Sequence, residues 1–558
     1  MFAIPLLAGV AVHLAVRPFE IDQHTSKIIF AYLASFTALV TNLHTHGGLS
    51  LAESVLETAT IAAGFNTGLF GSILVYRAFF HRLHRFPGPL PAKLTRFYAM
   101  RTAALTLQAH LATENVHEQY GDFVRVGPRE ISIKRASAIS AIYGPSSKCY
   151  RSTQYDQPST EAAKSSIVGT RDVEAHRRRK RAWERGLGFR ALDVYEPRVQ
   201  SKVDLLLSRI ARYEGTPFDI TELAMFFSFD VLGDIGYSKD FDLLKTGKHH
   251  EAITAVREQT VYIGTLSSVP WLFRLIVNSM EVLSNIGVKT SFNIFLDWCT
   301  QQLEARRKAI HDEKDLGVVK DPQDVMSWLI KAHDEGDGSA PPGEAAFQED
   351  SRVLIVAGSD TTSAALANSF YYLTKYPAVY RKLQAGLDAE FPRGEADWTY
   401  AKAKTIPYLD AIIQETLRLR PSVPSGLPRV SPPGGLQIDE VFVPGNVNIS
   451  VPTYTIQRDP RYWDDPLEFV PERWENLSPD KAPFFPFTRG KYACPGKNLA
   501  MMELVMVISR IALRYETEFP SAAVAEKFEK EALDTFTMAV PDLPLIFRRR
   551  EKIQPSSK

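Results

Sequence analysis

The distribution of apolar and polar positions divides the chain near residue 85. Before it lie three apolar runs, Phe2–Val16, Ile28–Leu43 and Thr60–Phe80. The third has the roughly 20 residues that a bilayer crossing needs; the first two are shorter and carry Pro5, His13 and several threonines. After residue 85 the spacing of apolar residues is helical over long stretches. Val194–Thr300 is mostly helical, and Phe218–Tyr237 is apolar nearly all round, which predicts an interior helix. Gly264–Asn278, rich in aromatic and aliphatic residues, reads as core, with a surface facing substrate or membrane as the alternative. Ser351–Tyr376 predicts a long buried helix, Pro407–Pro421 a shorter one, and Asn498–Leu513 another buried one. Strand signals are few and short: Tyr120–Gly127 followed by Glu130–Ile133, and Thr535–Phe547 with a turn at Pro541–Pro544. The expected fold is mainly α with small β-sheets, preceded by N-terminal transmembrane helices.

Charge orients the first part. Arg77, His81, Arg82, His84 and Arg85 follow the third run, whereas His44–Ala59 holds Glu53 and Glu57 and no Lys or Arg. An excess of basic residues marks the cytosolic side, so everything after Arg77 is expected in the cytosol, with Arg17 and Lys27 there too if all three runs cross. A cleaved leader is disfavoured, because the first run lacks a basic start and a small-residue cleavage site. Phe86-Pro87-Gly88-Pro89-Leu90-Pro91 is a stiff hinge, since its prolines fix φ and remove N–H donors. The expected division is residues 1–85 as a membrane anchor of one to three spans, with 60–80 the best, then 86–91 as the hinge and 92–558 as one catalytic unit. With 558 residues, 45% hydrophobic and 23% charged, the chain can bury a large core. A net charge of +1 gives no reason to expect a nucleic-acid partner. Three cysteines make no disulfide framework, which fits a reducing compartment.

Three stretches break local rules in ways that point to chemistry. Phe487, Gly490, Cys494 and Gly496 form a glycine-bounded loop that delivers a cysteine to the start of a helix. Free N–H groups there favour a thiolate, able to bind a soft metal or attack a substrate. Ala357-Gly358-Ser359-Asp360-Thr361-Thr362 puts glycine, threonines and an acid in the middle of a buried helix, where each lowers stability. Glu415 and Arg418, three apart on one helix face, can pair. The run His176-Arg177-Arg178-Arg179-Lys180-Arg181-Ala182-Trp183 is the densest basic cluster; Trp183, Leu187 and Phe189 give it an apolar side, so it reads as a helix with a basic face.

The spacing F-x-x-G-x-x-x-C-x-G resembles the cysteine-ligand loop of the cytochrome P-450 superfamily of haem-thiolate monooxygenases, most closely its membrane-bound fungal members. The resemblance runs from Phe86 to the C-terminus. It includes the A-G-x-D/E-T-T motif at Ala357–Thr362, and E-x-x-R at Glu415–Arg418 followed by Pro471-Glu472-Arg473-Trp474. It implies a haem b with Cys494 as axial thiolate, Phe487 in the ligand loop, and Asp360 and Thr361 as the acid–alcohol pair that delivers protons. Glu415, Arg418 and Arg473 become a structural network. His176 and Lys180 face the haem propionates, with Arg429 the best propionate ligand. Tyr492 stands where members often have Arg or His, and Lys491, Lys180 or Arg429 would have to compensate. Pro424–Arg429 and Phe536–Met538 are expected at the substrate pocket. The implied reaction uses O2 to hydroxylate or epoxidise a lipophilic small molecule, a terpenoid or other secondary metabolite, at an endoplasmic-reticulum membrane with the catalytic domain in the cytosol. No Gly-rich dinucleotide motif or flavin signature is present. Electrons would come from NADPH through a separate cytochrome P-450 reductase docking on the Arg177–Arg179 face. The rival readings are a haem-thiolate isomerase or dehydratase needing no O2, against which Asp360-Thr361 argues, and a non-catalytic haem-binding sensor or membrane scaffold.

Overall fold

The computed structural model describes residues 2–19, 21, 24–156, 162–285, 290–316 and 321–551. Its first part folds as three helices, α1 (Ala3–Val16), α2 (Thr25–Thr45) and α3 (Leu51–Val75), the last running into a π-helical turn over Tyr76–Phe80. Two of these expectations change. α3 begins well before Thr60, because Glu53 is a capping residue and not a loop charge. The Ser50 hydroxyl accepts from the Glu53 N–H at 3.3 Å, and the Glu53 carboxylate accepts from the Ser50 N–H at 2.9 Å. α2 is longer than Ile28–Leu43 because its threonines hide their own polarity. Thr37, Thr41 and Thr45 each donate to the carbonyl four residues back, at 3.0, 2.9 and 2.8 Å. α2, with 21 residues, and Leu51–Phe80, with 30, are both long and apolar enough to cross a membrane, which is weak evidence of an anchor. α1, with 14 residues, reaches only about 21 Å.

α1 lies along the second half of α3, and glycines set the distance between them. A Cβ at Gly68 would stand 2.0 Å from the Leu6 carbonyl oxygen, and one at Gly9 2.1 Å from that of Phe65. The contacts advance together, from Pro5 at Gly64 to His13 at Ser72, where Nδ1 and Oγ are 2.8 Å apart, so the two helices run parallel. Backbones this close are how apolar helices associate in lipid, where no hydrophobic force separates helix from solvent.

The proline hinge is fastened to the body. The Arg125 N–H donates to Pro87 O at 2.7 Å, and the buried Arg125 guanidinium donates to Arg77 O, Lys93 O and Pro128 O. Gly88 has φ +150°, and a Cβ there would meet Arg125 O at 2.3 Å, so only glycine fits. Arg82 also reaches Gly445 O at 2.7 Å.

A central helix, Glu344–Lys375, organises the rest. It starts ahead of Ser351 because Ala346 and Phe347 are already core residues. Ile220–Tyr237 packs on it as the expected interior helix, with Asp219 capping its N-terminus by accepting from the N–H groups of Thr221 and Glu222. Phe226, Phe227 and Phe229 are essentially inaccessible there, each stabilising by about 2 kcal/mol. A Cβ at Gly358 would come within 2.7 Å of Leu232, so that glycine sets how closely the two helices approach. Helices Pro407–Leu419 and Lys497–Arg514 complete this core.

A second, smaller core lies under a five-stranded sheet. Its strands, in spatial order, are Phe123–Gly127, Glu130–Ile133, Asn448–Ser450, Arg429–Val430 and Tyr150–Arg151, with only the second pair parallel. The first two form the expected hairpin, although Tyr120 belongs to the preceding helix. The C-terminal hairpin differs from expectation. Leu533–Thr535 pairs with Thr537–Ala539 and turns at Phe536, whose φ of +83° is unusual outside glycine. Pro544–Arg549 instead joins Pro217–Asp219 and Tyr515–Glu518 in a separate sheet.

Candidate functional site

The Cys494 loop is held by its own backbone and by a neighbouring helix end. Cys494 N–H donates to Phe487 O, and Ala493 N–H to Gly490 O, both at 3.0 Å. Gly490 has φ +64°, and a Cβ there would meet the carbonyl oxygens of Tyr143 and Gly144 at 2.7 Å, so the motif's glycine answers to both torsion and space. The following helix begins at Lys497. Cys149 and Cys299 are buried, whereas Cys494 keeps accessible surface while protein crowds its other sides. That crowding holds the thiol above its usual range, against the N–H groups of Gly496 and Lys497 and the charges of Lys180 and Lys497. The N–H groups at the helix start favour a thiolate, as expected from sequence, but burial opposes them; a coordinating metal ion would complete the deprotonation.

Two residues before the cysteine, Tyr492 is the centre of a cationic cluster. Arg151 lies 4.5 Å and Arg429 4.8 Å from its ring centre, and the His176 ring meets it edge-on at 4.8 Å. Arg429 also donates to the Tyr155 hydroxyl at 2.8 Å. Arg151 and Arg429 stand directly opposite one another on adjacent antiparallel strands, and both are buried. Like charges in that position repel, and no carboxylate pairs with either among the described residues. Arg151 Nε, Arg429 Nε and the Tyr492 hydroxyl are buried without a hydrogen-bond partner. Three orphaned donors and two facing cations in one place fit an anionic group with more than one acidic arm. Burial and the nearby charges of Arg151, Lys180, Arg179 and Arg429 drive His176 down to about 2, so it is neutral there. Lys180 is half-buried and pairs with Glu184 at 3.2 Å. Lys491 turns aside to donate to Ser147 O at 3.1 Å.

Arg151 is the residue that sequence reasoning missed. It sits on a two-residue strand with no motif, and only its pairing partner Arg429 reveals it. The basic run is also corrected. Arg179 is a core residue, donating to Asp350 at 2.7 Å, to Ser165 O and to Thr170, whereas Arg177, Arg178 and Arg181 are exposed.

On the central helix, the Thr361 hydroxyl donates to Ala357 O at 2.8 Å, and the helix continues unbroken. The Asp360 carbonyl accepts from the Ser363 hydroxyl at 3.2 Å, but the Asp360 carboxylate accepts no hydrogen bond from any described residue. Burial pushes it up to about 7, and only the charge of Arg257 opposes this. The Thr361 carbonyl accepts from the Ser422 hydroxyl at 3.1 Å, and Ser422 O accepts from Met538 N–H at 2.9 Å. The segment that carries Arg429 is thus joined to the helix at Thr361 and to the C-terminal hairpin. Beside it is a cavity of about 670 Å³ bordered by Val353, Gly426, Pro428, Asp534 and Phe536. Ile276 and Val277 of the Gly264–Asn278 stretch line it as well, so that stretch is cavity wall and not only core.

Beneath the loop, Glu415 makes a two-point pair with Arg418, both contacts 2.9 Å. It also accepts from Arg473 Nε, Trp474 Nε1 and Val470 N–H, each at 3.0 Å.

The family model for cytochrome P450 matches residues 87–545. The chain belongs to the cytochrome P450 family. It is 34% identical to cytochrome P450 monooxygenase FCK2 of Fusarium pseudograminearum over 98% of each chain. It is 36% identical to cytochrome P450 monooxygenase orf5 of Eupenicillium brefeldianum over 87% of this chain and 95% of that one. With tryprostatin B 6-hydroxylase of Aspergillus fumigatus it shares 31% identity over 89% and 86%. As a cytochrome P450 of this fungal secondary-metabolism type, the protein is a monooxygenase, an oxidoreductase that uses O2, a reductase partner, a small-molecule substrate and a haem held by a cysteine thiolate. The cationic cluster fits that haem, whose two propionates would satisfy the orphaned donors.

Proposed function

We propose that this cytochrome P450 is a membrane-held hydroxylase or epoxidase of a lipophilic secondary metabolite, with Cys494 as the haem ligand. The observation that supports this most is the buried Arg151–Arg429–Tyr492 cluster, two residues from the cysteine, whose donors are left for an acid the protein does not supply. Haem, when bound, supplies O2 activation and transfer of one oxygen atom to carbon. Arg151 and Arg429 hold its propionates as cations. Neutral His176 and the Tyr492 hydroxyl add uncharged hydrogen bonds, Lys180 lends positive charge, and Phe487 fixes the ligand loop. Arg151 takes the part that Tyr492 cannot.

Asp360 and Thr361 handle protons. A carboxyl lifted to about 7 both holds and releases a proton near neutral pH, as a relay must. Thr361 spends its own hydrogen on Ala357 O and so presents lone pairs to a proton-bearing neighbour. Thr361→Ala is expected to lower product formed per NADPH by about tenfold or more, with peroxide rising in step; unchanged coupling would remove Thr361 from this role.

Electrons are assigned to a separate NADPH-dependent reductase meeting the exposed Arg177, Arg178 and Arg181. α2 and the Leu51–Phe80 helix fit an endoplasmic-reticulum anchor. We divide the chain as proposed from sequence, with the hinge at 86–91. The test is purified holoprotein, reduced and exposed to carbon monoxide, then supplied with reductase, NADPH and a lipophilic panel. A red-shifted Soret band and O2-dependent product support the reading; correctly folded protein without that band overturns it.

A further inference from the structure

Asp534 borders the large cavity and has no cation of its own. It is 4% exposed. One carboxylate oxygen accepts from the Ser425 hydroxyl and the other from the Phe536 N–H at 3.3 Å, and the His110 backbone N–H also favours the charged form. No Lys or Arg pairs with it among the described residues. The nearest titratable group is His110, 3.8 Å away, which burial and the charges of Arg458 and Arg420 hold down at about 3, so it stays neutral. A buried carboxylate with only neutral donors around it is an unmet electrostatic demand.

The neighbouring wall repeats that demand. Ser425 has spent its hydrogen on Asp534, and Thr113 has spent its own on Ala109 O at 2.8 Å. Both residues line the cavity, and both hydroxyls are left with lone pairs alone. Phe536 and Tyr262 border the same space, and aromatic faces attract cations. This part of the cavity offers acceptors and π-faces; beside Asp534 only the unpartnered Nδ1 of neutral His110 remains as a donor, and elsewhere on the wall Arg96 carries an unpartnered Nη1.

We propose that Asp534 is a substrate-selecting residue that binds a positively charged nitrogen, so that the enzyme's substrates are lipophilic amines carried as ammonium ions. The inference rests on the reading of this cavity as the substrate site. It narrows the substrate class within that reading, away from a purely hydrocarbon terpenoid.

The test uses two probes of one shape: phenylbutyl-trimethylammonium and the hydrocarbon in which carbon replaces its nitrogen. A quaternary nitrogen has no lone pair and cannot ligate iron. Equilibrium dialysis against detergent-solubilised holoprotein is expected to give about tenfold or more tighter binding of the cation. Asp534→Asn, which keeps the shape and removes the charge, is expected to abolish that preference while hydrocarbon binding stays unchanged.

A second measurement needs no variant. Burial raises Asp534 to about 6, so wild-type affinity for the cation should fall by about tenfold from about pH 7.5 to about pH 5 as the carboxylate takes up a proton. Glu114, on the helix that carries His110 and Thr113, is also raised by burial, so the profile is read beside that of Asp534→Asn, in which the fall should vanish; the remaining groups on the packed elements keep their charge. His110 is already neutral, and Arg420, Arg458, Arg101 and Arg257 remain cationic. Glu258 is exposed on the solvent side and is screened. Equal affinity for the two probes, a preference surviving in Asp534→Asn, or a flat pH profile would each overturn the inference. Failure of the haem reading shows elsewhere, as a missing carbon monoxide band.

Discussion

Cys494→Ser is expected to lose monooxygenation by about a thousandfold or more and to lose the red-shifted carbon monoxide band, while the polypeptide still folds. The two halves of that expectation have different causes. A serine oxygen is a hard donor that stays protonated near neutral pH, so it cannot supply the electron density that sulfur gives to iron. The loop, in contrast, does not lean on the side chain. It is closed by Cys494 N–H on Phe487 O, by Ala493 N–H on Gly490 O, and by Gly490 seated on the Tyr143 and Gly144 carbonyls. Thermal unfolding of the haem-free protein should therefore shift by no more than about 0.5 kcal/mol. Cys149→Ser, at a buried thiol elsewhere in the chain, should keep the band. A Cys494→Ser protein that retains it would show that another residue ligates the iron.

Glu415→Ala is expected to act on folding instead of chemistry. The substitution strands Arg418, fully buried, and removes the acceptor used by Arg473, Trp474 and the Val470 N–H. Removing one partner of a buried ion pair costs about 3–5 kcal/mol, a large share of a domain's roughly 5–15 kcal/mol. Folded, haem-loaded yield should collapse, while the molecules that do load haem turn over at nearly the wild-type rate per haem. Glu415→Gln keeps volume and an acceptor and should recover part of the yield. A normal yield for Glu415→Ala would mean that the three carbonyls around Arg418, from Gln457, Pro466 and Glu468, suffice without a counter-charge.

What could be read from sequence was whatever repeats along the chain or sits in a fixed local spacing. The cysteine loop, the interrupted middle of the central helix and the Glu415–Arg418 pair are local, and Ile220–Tyr237 announces its burial by being apolar on every side. Arg151 is different in kind. Its meaning comes from Arg429 across a strand pair, a contact between residues far apart in sequence. Arg179 and Arg177 look alike in a basic run, and only the orientation of the helix sends one to Asp350 and the other to solvent. No glycine or asparagine marks the turn at Phe536, so the sequence pattern points instead to the nearest prolines. Glu53 looked like a loop charge because a capping glutamate and a solvated one have the same letter.

The glycine contact between α1 and α3 limits how the chain can be shortened. In the membrane anchor proposed above, a version beginning after α1 would leave the α3 side of the seam bare, with Gly64, Gly68 and Ser72 turned toward lipid instead of toward a helix. Acyl chains fill such a notch poorly, and detergent or a second truncated molecule would take the missing helix's place. Trimming the amino terminus to ease purification would thus trade one hydrophobic segment for a self-associating surface, and the intact leading helix is the better guard of a monodisperse preparation.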